Sequence, residues 1–214
     1  MAGTRRYSMG LRDEQTAATR GRILDAARDL FTQRGYLRTT LTTVAEAAGV
    51  SVQTIYNLVG GKPVLLKTVY DVTLAGDDEA IPMAERPIAR AVLEAGDGRE
   101  CLARYAVMGR VLGERVLPLI TAMLAQAATG DHDLRTFADT IETERATATR
   151  GIAGHVAKRF GLRDGLDVQT AADILWTLTA AELTDRLVNR RGWSWDRYER
   201  WLGSAMADLL LGPA

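Results

Sequence analysis

Residues 40–62 read TLTTVAEAAGVSVQTIYNLVGGK, and this stretch decides how the amino-terminal part of the chain folds. The hydroxyl of Thr40 can accept a hydrogen bond from an unpaired amide at the start of a helix. Gly49 can adopt the left-handed conformation that ends a helix. The sequence therefore predicts a helix of two turns over residues 41–48.

A second short helix follows almost at once. Ser51 can cap this helix as Thr40 caps the first, and the helix is predicted over residues 52–58. Two short helices joined by a tight turn that contains glycine form a helix-turn-helix motif. Gly60–Gly61 then interrupts the chain. A further helix begins at Lys62–Pro63, because proline is tolerated in a first turn.

Residues that typically start and end helices recur to the end of the chain. No stretch shows the sustained polar and apolar alternation that is typical of a strand. We therefore predict an all-α fold, with a first helix from about Thr16 to Arg34. Beyond residue 87, helices are predicted over residues 99–114, 117–129, 132–160, 168–191 and 195–211. The expected organisation is a flexible basic arm (1–15), a three-helix head with the helix-turn-helix motif (16–62) and a larger helical domain (63–214).

Length and composition favour an ordinary folded protein. The chain has 214 residues, of which 25% are charged and 47% hydrophobic. A chain of this length buries about 70% of its unfolded surface, so it needs neither a disulfide nor a metal ion to fold. Its single cysteine, Cys101, has no internal partner for a disulfide. We predict no cofactor and no metal.

The sequence also predicts a cytoplasmic protein that does not bind a membrane. No uncharged run is longer than residues 116–130, which hold about 15 residues, whereas a membrane span needs roughly 20. The amino terminus carries arginines but lacks the apolar segment of a signal peptide.

Charge is distributed unevenly along the chain. Residues 1–70 hold ten Lys and Arg against five Asp and Glu, which gives a net charge of +5, and residues 71–214 hold 17 against 22, which gives −5. The positive end is expected to bind a polyanion. Arg5 and Arg6 precede the first helix and could enter a DNA minor groove, or they could belong to a disordered tail.

A helix-turn-helix motif places its second helix in the major groove of DNA, where amide and hydroxyl side chains can read base edges. Gln53, Thr54 and Asn57 are expected to face outward. Hydroxyl, phenol and ammonium groups at the ends of the elements can bind phosphate. The predicted contacts with double-stranded DNA are Thr40, Thr42, Ser51, Val52, Gln53, Thr54, Tyr56, Asn57 and Lys62. Taken singly, Thr40 and Ser51 could be caps only, Tyr56 a hydrophobic plug and Lys62 a solvated charge.

Three runs carry a resemblance to a known family: GYLRTTL (35–41), VAEAAGVSVQTIY (44–56) and GKPVL (61–65). They resemble the amino-terminal DNA-binding domain of the TetR family of bacterial transcriptional repressors, over residues 16–67. Two departures stand out. Leu58-Val59 replaces the usual His-Phe, so residue 58 offers no polar contact, and Gly61 replaces the usual Ser or Asn.

The resemblance implies a repressor that a small-molecule effector releases from an inverted-repeat operator. The middle helices, about 64–160, would then enclose the effector. The aromatic, thioether and aliphatic side chains that could line this pocket are Leu102, Tyr105, Met108, Met123, Phe137, Ile141 and Trp176, and any one of them could instead be ordinary core.

The last two predicted helices are apolar on two sides, which favours a partner chain and hence a homodimer. The resemblance supports this expectation, because the last two helices in members of the family form a four-helix bundle between subunits. The sequence of residues 175–202 is similar to that of actinobacterial members of the family. The residues expected at this interface are Leu175, Leu178, Leu183, Leu187, Tyr198, Trp201, Leu202, Met206 and Leu209. An entirely intramolecular helical core is the alternative.

Two other classes of function fit the sequence less well. An enzyme is disfavoured, because His132 and His155 lack a matching cysteine pair and residues 60–62 only faintly resemble a phosphate-binding loop. We therefore predict that the chain is not an enzyme. A helical adaptor that binds protein is the remaining alternative, but it gives no reason for positive charge to gather around a helix-turn-helix motif.

Overall fold

A computed structural model describes the backbone of residues 3–127 and 129–213 and, within these ranges, the side chains from Asp13 onward. The prediction of an all-α fold is confirmed, since these residues form helices, turns and loops and contain no strand. The helices are α1 (Gly3–Arg34), α2 (Leu41–Ala48), α3 (Val52–Leu58), α4 (Lys62–Ala75), α5 (Pro87–Leu93), α6 (Gly98–Ala127), α7 (His132–Phe160), α8 (Val168–Leu178), α9 (Ala181–Asp185) and α10 (Trp195–Leu211). A 3-10 turn covers Met83–Glu85 and a π-helical turn covers Arg186–Arg190.

The predicted ends of α2, α3, α7 and α10 are confirmed. The start of α1 near Thr16 is wrong. The helix begins at Gly3, so residues 3–15, expected to be a flexible arm, are helical. These residues contain no proline and include several strong helix formers, which allows the helix to extend. The side chains of Arg5 and Arg6 lie outside the described residues, and their minor-groove role stays a prediction.

The helices predicted on either side of residues 115–116 are one continuous helix, α6. Pro118 lies inside it, and a proline in a helix interior costs about 3 kcal/mol. Burial of the apolar residues around Pro118 offsets this cost. These buried residues are Val116, Leu117, Leu119 and Ile120.

The helix predicted over 168–191 is broken at Ala180, whose backbone is extended. The guanidinium of Arg145 donates a hydrogen bond to the carbonyl oxygen of Trp176 at 2.7 Å. A carbonyl in the last turn of α8 is thereby satisfied, so the chain turns without the glycine that usually ends a helix. A tertiary contact stabilises this break, and the local sequence gives no signal for it.

The chain forms two compact units. The first comprises Met1–Asp78 and Pro118–Phe137, and the second comprises Glu79–Leu117 and Ala138–Ala214. Helix α4, which was expected to begin the second domain, therefore belongs to the same unit as α1, α2 and α3.

The core of the first unit joins the four amino-terminal helices. On α1, buried residues recur every four positions, which places them on one face. The fully buried side chains that these four helices contribute include Ile23, Ala27, Phe31, Val44, Ile55, Leu65 and Leu66. This core fixes the two helices of the helix-turn-helix motif against α1 and α4.

The core of the second unit is built from α5, α6, α7, α8 and α10. It includes Leu102, Ala153, Leu175 and Leu202, all with no exposed surface. Within the unit, Thr184 and Tyr198 share a buried hydrogen bond of 2.9 Å. Buried hydroxyl groups of this kind are paired because leaving them unpaired costs free energy.

Candidate nucleic-acid interface

The amino terminus of α2 is held by two threonines. The Thr40 hydroxyl accepts from the amide of Thr43 at 3.1 Å, and the Thr43 hydroxyl accepts from the amide of Thr40 at 3.0 Å. This reciprocal pair is a capping box. Thr40 is therefore a cap, and both Thr40 and Thr42 remain exposed to solvent.

The amino terminus of α3 is capped in the way that the sequence indicates. The Ser51 hydroxyl accepts from the amide of Thr54 at 3.1 Å and lies 2.8 Å from the Thr54 hydroxyl. Ile55 has no exposed surface and anchors the helix in the core of the first unit. Val52 and Thr54 are half-buried, so they present only part of their side chains outward.

The outward face of α3 carries two amides and a phenol. Gln53, Tyr56 and Asn57 are exposed, and Tyr56 keeps 53% of its surface in solvent. The Gln53 amide donates to the Asn57 amide oxygen at 2.9 Å, one turn further along the helix. The remaining donor and acceptor groups of this amide pair point away from the protein core and can form hydrogen bonds with base edges.

Lys62 is not a freely solvated charge. Its ammonium lies 3.9 Å from the centre of the Tyr36 ring, in a cation–π contact, and the side chain is half-buried. Burial lowers the pKa of Lys62, while the charges of Asp131 and Asp133 act in the opposite direction. The sequence did not predict these partners, because α7 begins about 70 residues further along the chain.

Tyr36 connects the head to the first turn of α7. Its hydroxyl donates to the Asp133 carboxylate at 2.7 Å, and only 2% of the residue is exposed. Burial, followed by the hydrogen bond to Asp133 and the charge of that carboxylate, raises the pKa of Tyr36 above its ordinary value. The sequence marks Tyr36 as part of a motif, but its partner lies 97 residues further along the chain and has no local signal.

A second contact joins the same turn to the end of α6. The Gln126 side-chain oxygen accepts from the amide of Leu37 at 3.1 Å. Gly35 has a φ of 78°, and a Cβ atom at this position would lie 1.6 Å from the Gln126 nitrogen. The backbone conformation therefore favours glycine here, and a larger residue would displace the Gln126 side chain from Leu37.

The seven residues predicted to line an effector pocket do not lie in one unit. Met123 and Phe137 belong to the first unit, where Phe137 packs edge-on against Tyr70 with ring centres 5.5 Å apart. The other five belong to the second unit. There, Leu102, Tyr105 and Ile141 are buried, Met108 is half-buried and Trp176 is 38% exposed.

Trp176 lines a surface cavity of about 280 Å³ between α7 and α8 of the second unit. Arg145 packs against the Trp176 ring, 5.5 Å from its centre. The other residues around the cavity are Ala146, Thr149, Arg150, Gln169, Ala172 and Asp173. The remaining six predicted pocket residues do not line this cavity.

The residues predicted at a dimer interface differ in burial. Leu175, Tyr198, Leu202 and Met206 have at most 2% of their surface exposed, because they pack inside the core of the second unit. Packing within one chain explains their apolar spacing, and their place at an interface stays a prediction. Leu209 is 40% exposed. The remaining predicted interface residues are half-buried, namely Leu178, Leu183, Leu187 and Trp201.

Two further features bear on the class of protein. Among the residues that the structure describes, no helix combines the length and the apolar character needed to cross a bilayer. In the same described ranges, no three His, Cys, Asp or Glu side chains come together as metal ligands.

The comparison with known sequences gives one match. Residues 23–68 match the sequence model of a family described as bacterial regulatory proteins, tetR family. This match covers the carboxyl part of α1, the whole helix-turn-helix motif and the first turns of α4. No curated protein matches the chain.

Solved structures share the fold over nearly the whole chain. The SmeT–triclosan complex is 20% identical, covers 91% of this chain and 92% of its own, and gives a TM-score of 0.68. The transcriptional regulator FadR from Bacillus subtilis, in complex with stearoyl-CoA, is 20% identical, with coverage of 90% and 98% and a TM-score of 0.66. The fatty acid degradation regulator FadR from Bacillus halodurans is 17% identical, with coverage of 89% and 94% and a TM-score of 0.65.

The matched segment contains the capped α2, the glycine turn and the exposed amide face of α3. Helices continue beyond it to the end of α10. The chain therefore carries, over residues 23–68, an amino-terminal domain of the tetR family of bacterial regulatory proteins, and it shares its fold with solved transcriptional regulators.

Proposed function

We propose that this chain is a homodimeric repressor that binds an inverted-repeat operator and leaves it when a small-molecule effector binds. The exposed face of α3 carries the proposal: Gln53, Tyr56 and Asn57 point outward while Ile55 anchors the helix in the core. Short amides on a rigidly capped helix are suited to reading base edges in the major groove.

Base contacts and phosphate contacts have different roles in this proposal. Gln53, Thr54 and Asn57 read bases, with Val52 available for an apolar contact with a thymine methyl group. Phosphate contacts set the register of the protein on the duplex. The proposed phosphate contacts are Thr40, Thr42, Ser51, Tyr56 and Lys62.

A dimer presents two copies of α3 related by a two-fold axis. The operator is then an inverted repeat with half-sites about one helical turn, roughly 34–36 Å, apart. The side chains that remain available for the interface are the exposed Leu209 and the half-buried Leu178, Leu183, Leu187 and Trp201. Because the partner is a duplex, the protein would act in the cytoplasm.

The effector is proposed to be a small molecule with an apolar body. Triclosan in SmeT and stearoyl-CoA in Bacillus subtilis FadR are of this kind, and both proteins share the fold. Effector and DNA must then weaken each other's binding by the same factor, with a coupling of about 1 to 3 kcal/mol.

Selection of duplexes from a random-sequence pool, followed by footprinting on the enriched duplex, tests the proposal. The expected result is a protected inverted repeat. The variant with Gln53, Thr54 and Asn57 all changed to Ala should lose the preference for the enriched duplex while remaining folded. Gln33→Ala is the matched control, because it removes an exposed side-chain amide from α1. This control should keep the preference for the enriched duplex. A wild-type protein that enriches nothing and passes through heparin at low salt would instead indicate a protein-binding adaptor.

A further inference from the structure

The carboxyl end of α3 is capped differently from that of α2. After α2, Gly49 has a φ of 66° and its amide donates to carbonyls of the preceding turn. After α3, the cap residue is Val59, whose backbone is not left-handed. The last carbonyls of a helix have no amide partner within the helix, so they need another donor.

That donor comes from α1. The Nη1 atom of Arg20 donates to the carbonyl oxygen of Leu58, the last residue of α3, at 2.7 Å. A cation at this end of a helix is also favoured by the helix dipole. Leu58 directly follows Asn57, so the contact fixes the backbone beside one of the two outward amides.

Asp78 holds the guanidinium of Arg20 in this orientation. The Nε atom of Arg20 lies 2.6 Å from one Asp78 oxygen and Nη2 lies 3.2 Å from the other. This paired geometry is the strong form of an arginine–carboxylate contact. The Arg20 side chain is 29% exposed and that of Asp78 is 40% exposed, so solvent screens the pair only in part.

Asp78 reaches Arg20 because the chain reverses after α4. Gly76 caps α4 with a φ of 91°, a conformation that favours glycine, and Asp78 follows two residues later. One guanidinium therefore connects α1, the end of α3 and the segment that follows α4. In consequence the charge of Arg20 is engaged within the first unit, although it contributes to the positive balance of residues 1–70.

We propose that Arg20 and Asp78 are positioning residues for the DNA-reading helix, a role that rests on the function proposed above. Asp78 orients the guanidinium, and the guanidinium fixes the carboxyl end of α3. Helix α3 has seven residues, and so short a helix depends on contacts at its ends to stay formed. With this end fixed, Gln53 and Asn57 face the bases in one register.

Two variants separate positioning from charge. Arg20→Lys keeps the charge of the head, but an ammonium cannot bind Asp78 and the Leu58 carbonyl in the same forked geometry. Asp78→Asn weakens the orientation of Arg20 and removes one negative charge. The matched control is Asp25→Asn on α1, because Asp25 also pairs with an arginine, Arg28, and its side chain is 67% exposed.

Affinity is measured for two probes, the duplex that the wild-type protein enriches from a random pool and a duplex of random sequence. Arg20→Lys and Asp78→Asn should bind the enriched duplex about tenfold more weakly, as expected for loss of a charged hydrogen bond that orders the reading helix. Binding to the random duplex depends mainly on phosphate charge, so it should be unchanged in Arg20→Lys and slightly tighter in Asp78→Asn. Asp25→Asn should change the two affinities by the same factor, so that their ratio stays constant.

The ratio of the two affinities is the decisive quantity, since a merely structural loss would weaken both. Circular dichroism at the assay temperature confirms that each variant is folded, and if Asp78→Asn unfolds, Arg20→Lys decides alone. An unchanged ratio in the folded variants overturns the positioning role and leaves the proposed function intact. A wild-type protein without preference between the two duplexes overturns both.

Discussion

The hydroxyl of Tyr36 donates a hydrogen bond to the carboxylate of Asp133 across a separation of 97 residues, with a distance of 2.7 Å. Tyr36 lies in the turn between α1 and α2, and Asp133 lies in the first turn of α7. Both belong to the first unit. This unit therefore includes a segment remote in sequence that contacts the residues next to the helix-turn-helix motif.

Tyr36→Phe should lower the free energy of unfolding by about 1 to 3 kcal/mol, because it leaves the Asp133 carboxylate without a buried donor. Urea denaturation measures the change. Tyr56→Phe is the matched control, since it removes a hydroxyl from an exposed tyrosine and should leave stability almost unchanged. Equal effects of the two substitutions would show that the Tyr36 hydrogen bond contributes nothing.

The same tyrosine should make stability fall at high pH. Its pKa is raised in the folded protein, so above pH about 10 the unfolded chain loses the proton while the folded one keeps it. Stability then falls as pH rises, by up to about 1.4 kcal/mol per pH unit for one proton. Urea denaturation measures the free energy of unfolding between about pH 9 and about pH 11. This free energy should fall less steeply with pH in Tyr36→Phe than in the wild type.

Lys62→Met should reduce the slope of log K for DNA binding against log salt by about one unit, because one phosphate contact is lost. It should also cost about 0.5 to 1 kcal/mol of stability through loss of the cation–π contact with Tyr36. Lys67→Met is the control, because Lys67 is paired with Asp71 at 2.6 Å. If the slope stays constant in Lys62→Met, the lysine serves the Tyr36 contact and no phosphate.

Gly35→Ala should destabilise the protein more than Gly49→Ala. Both glycines have positive φ, which costs an alanine about 1 to 2 kcal/mol, but only at position 35 does the new methyl group meet the Gln126 side chain, at 1.6 Å. Thermal unfolding compares the two. In a Gln126→Ala background, which already lacks the hydrogen bond to Leu37, Gly35→Ala should cost no more than Gly49→Ala, and an excess that persists would rule out the steric explanation.

Leu209→Glu and Leu202→Ala should have different effects, because the first residue is proposed to lie at the dimer interface and the second lies in the core. Leu209 is 40% exposed, so a charge there should lower the fraction of dimer in sedimentation experiments without unfolding the chain. Leu202 has no exposed surface, and its truncation should cost about 2 to 5 kcal/mol of stability. A Leu209→Glu protein that remains fully dimeric would place the interface elsewhere.

Local signals in the sequence determined the helix-turn-helix motif. The caps Thr40 and Ser51 and the stop at Gly49 act within a few residues, so the ends of α2 and α3 were predicted correctly. The outward position of Gln53 and Asn57 follows from helical periodicity once Ile55 is buried. These features depend on neighbours in the chain, which is why a sequence alone can specify them.

Tertiary structure decided what depends on distant neighbours. The burial of Tyr198 and Leu202 within one chain, the break in the predicted 168–191 helix supported by Arg145, and the contacts of Tyr36, Lys62 and Arg20 all involve residues far apart in sequence. Apolar periodicity shows that a helix face is buried but not which surface covers it. Likewise, a charged side chain does not reveal its partner until the fold brings the two groups within hydrogen-bonding distance.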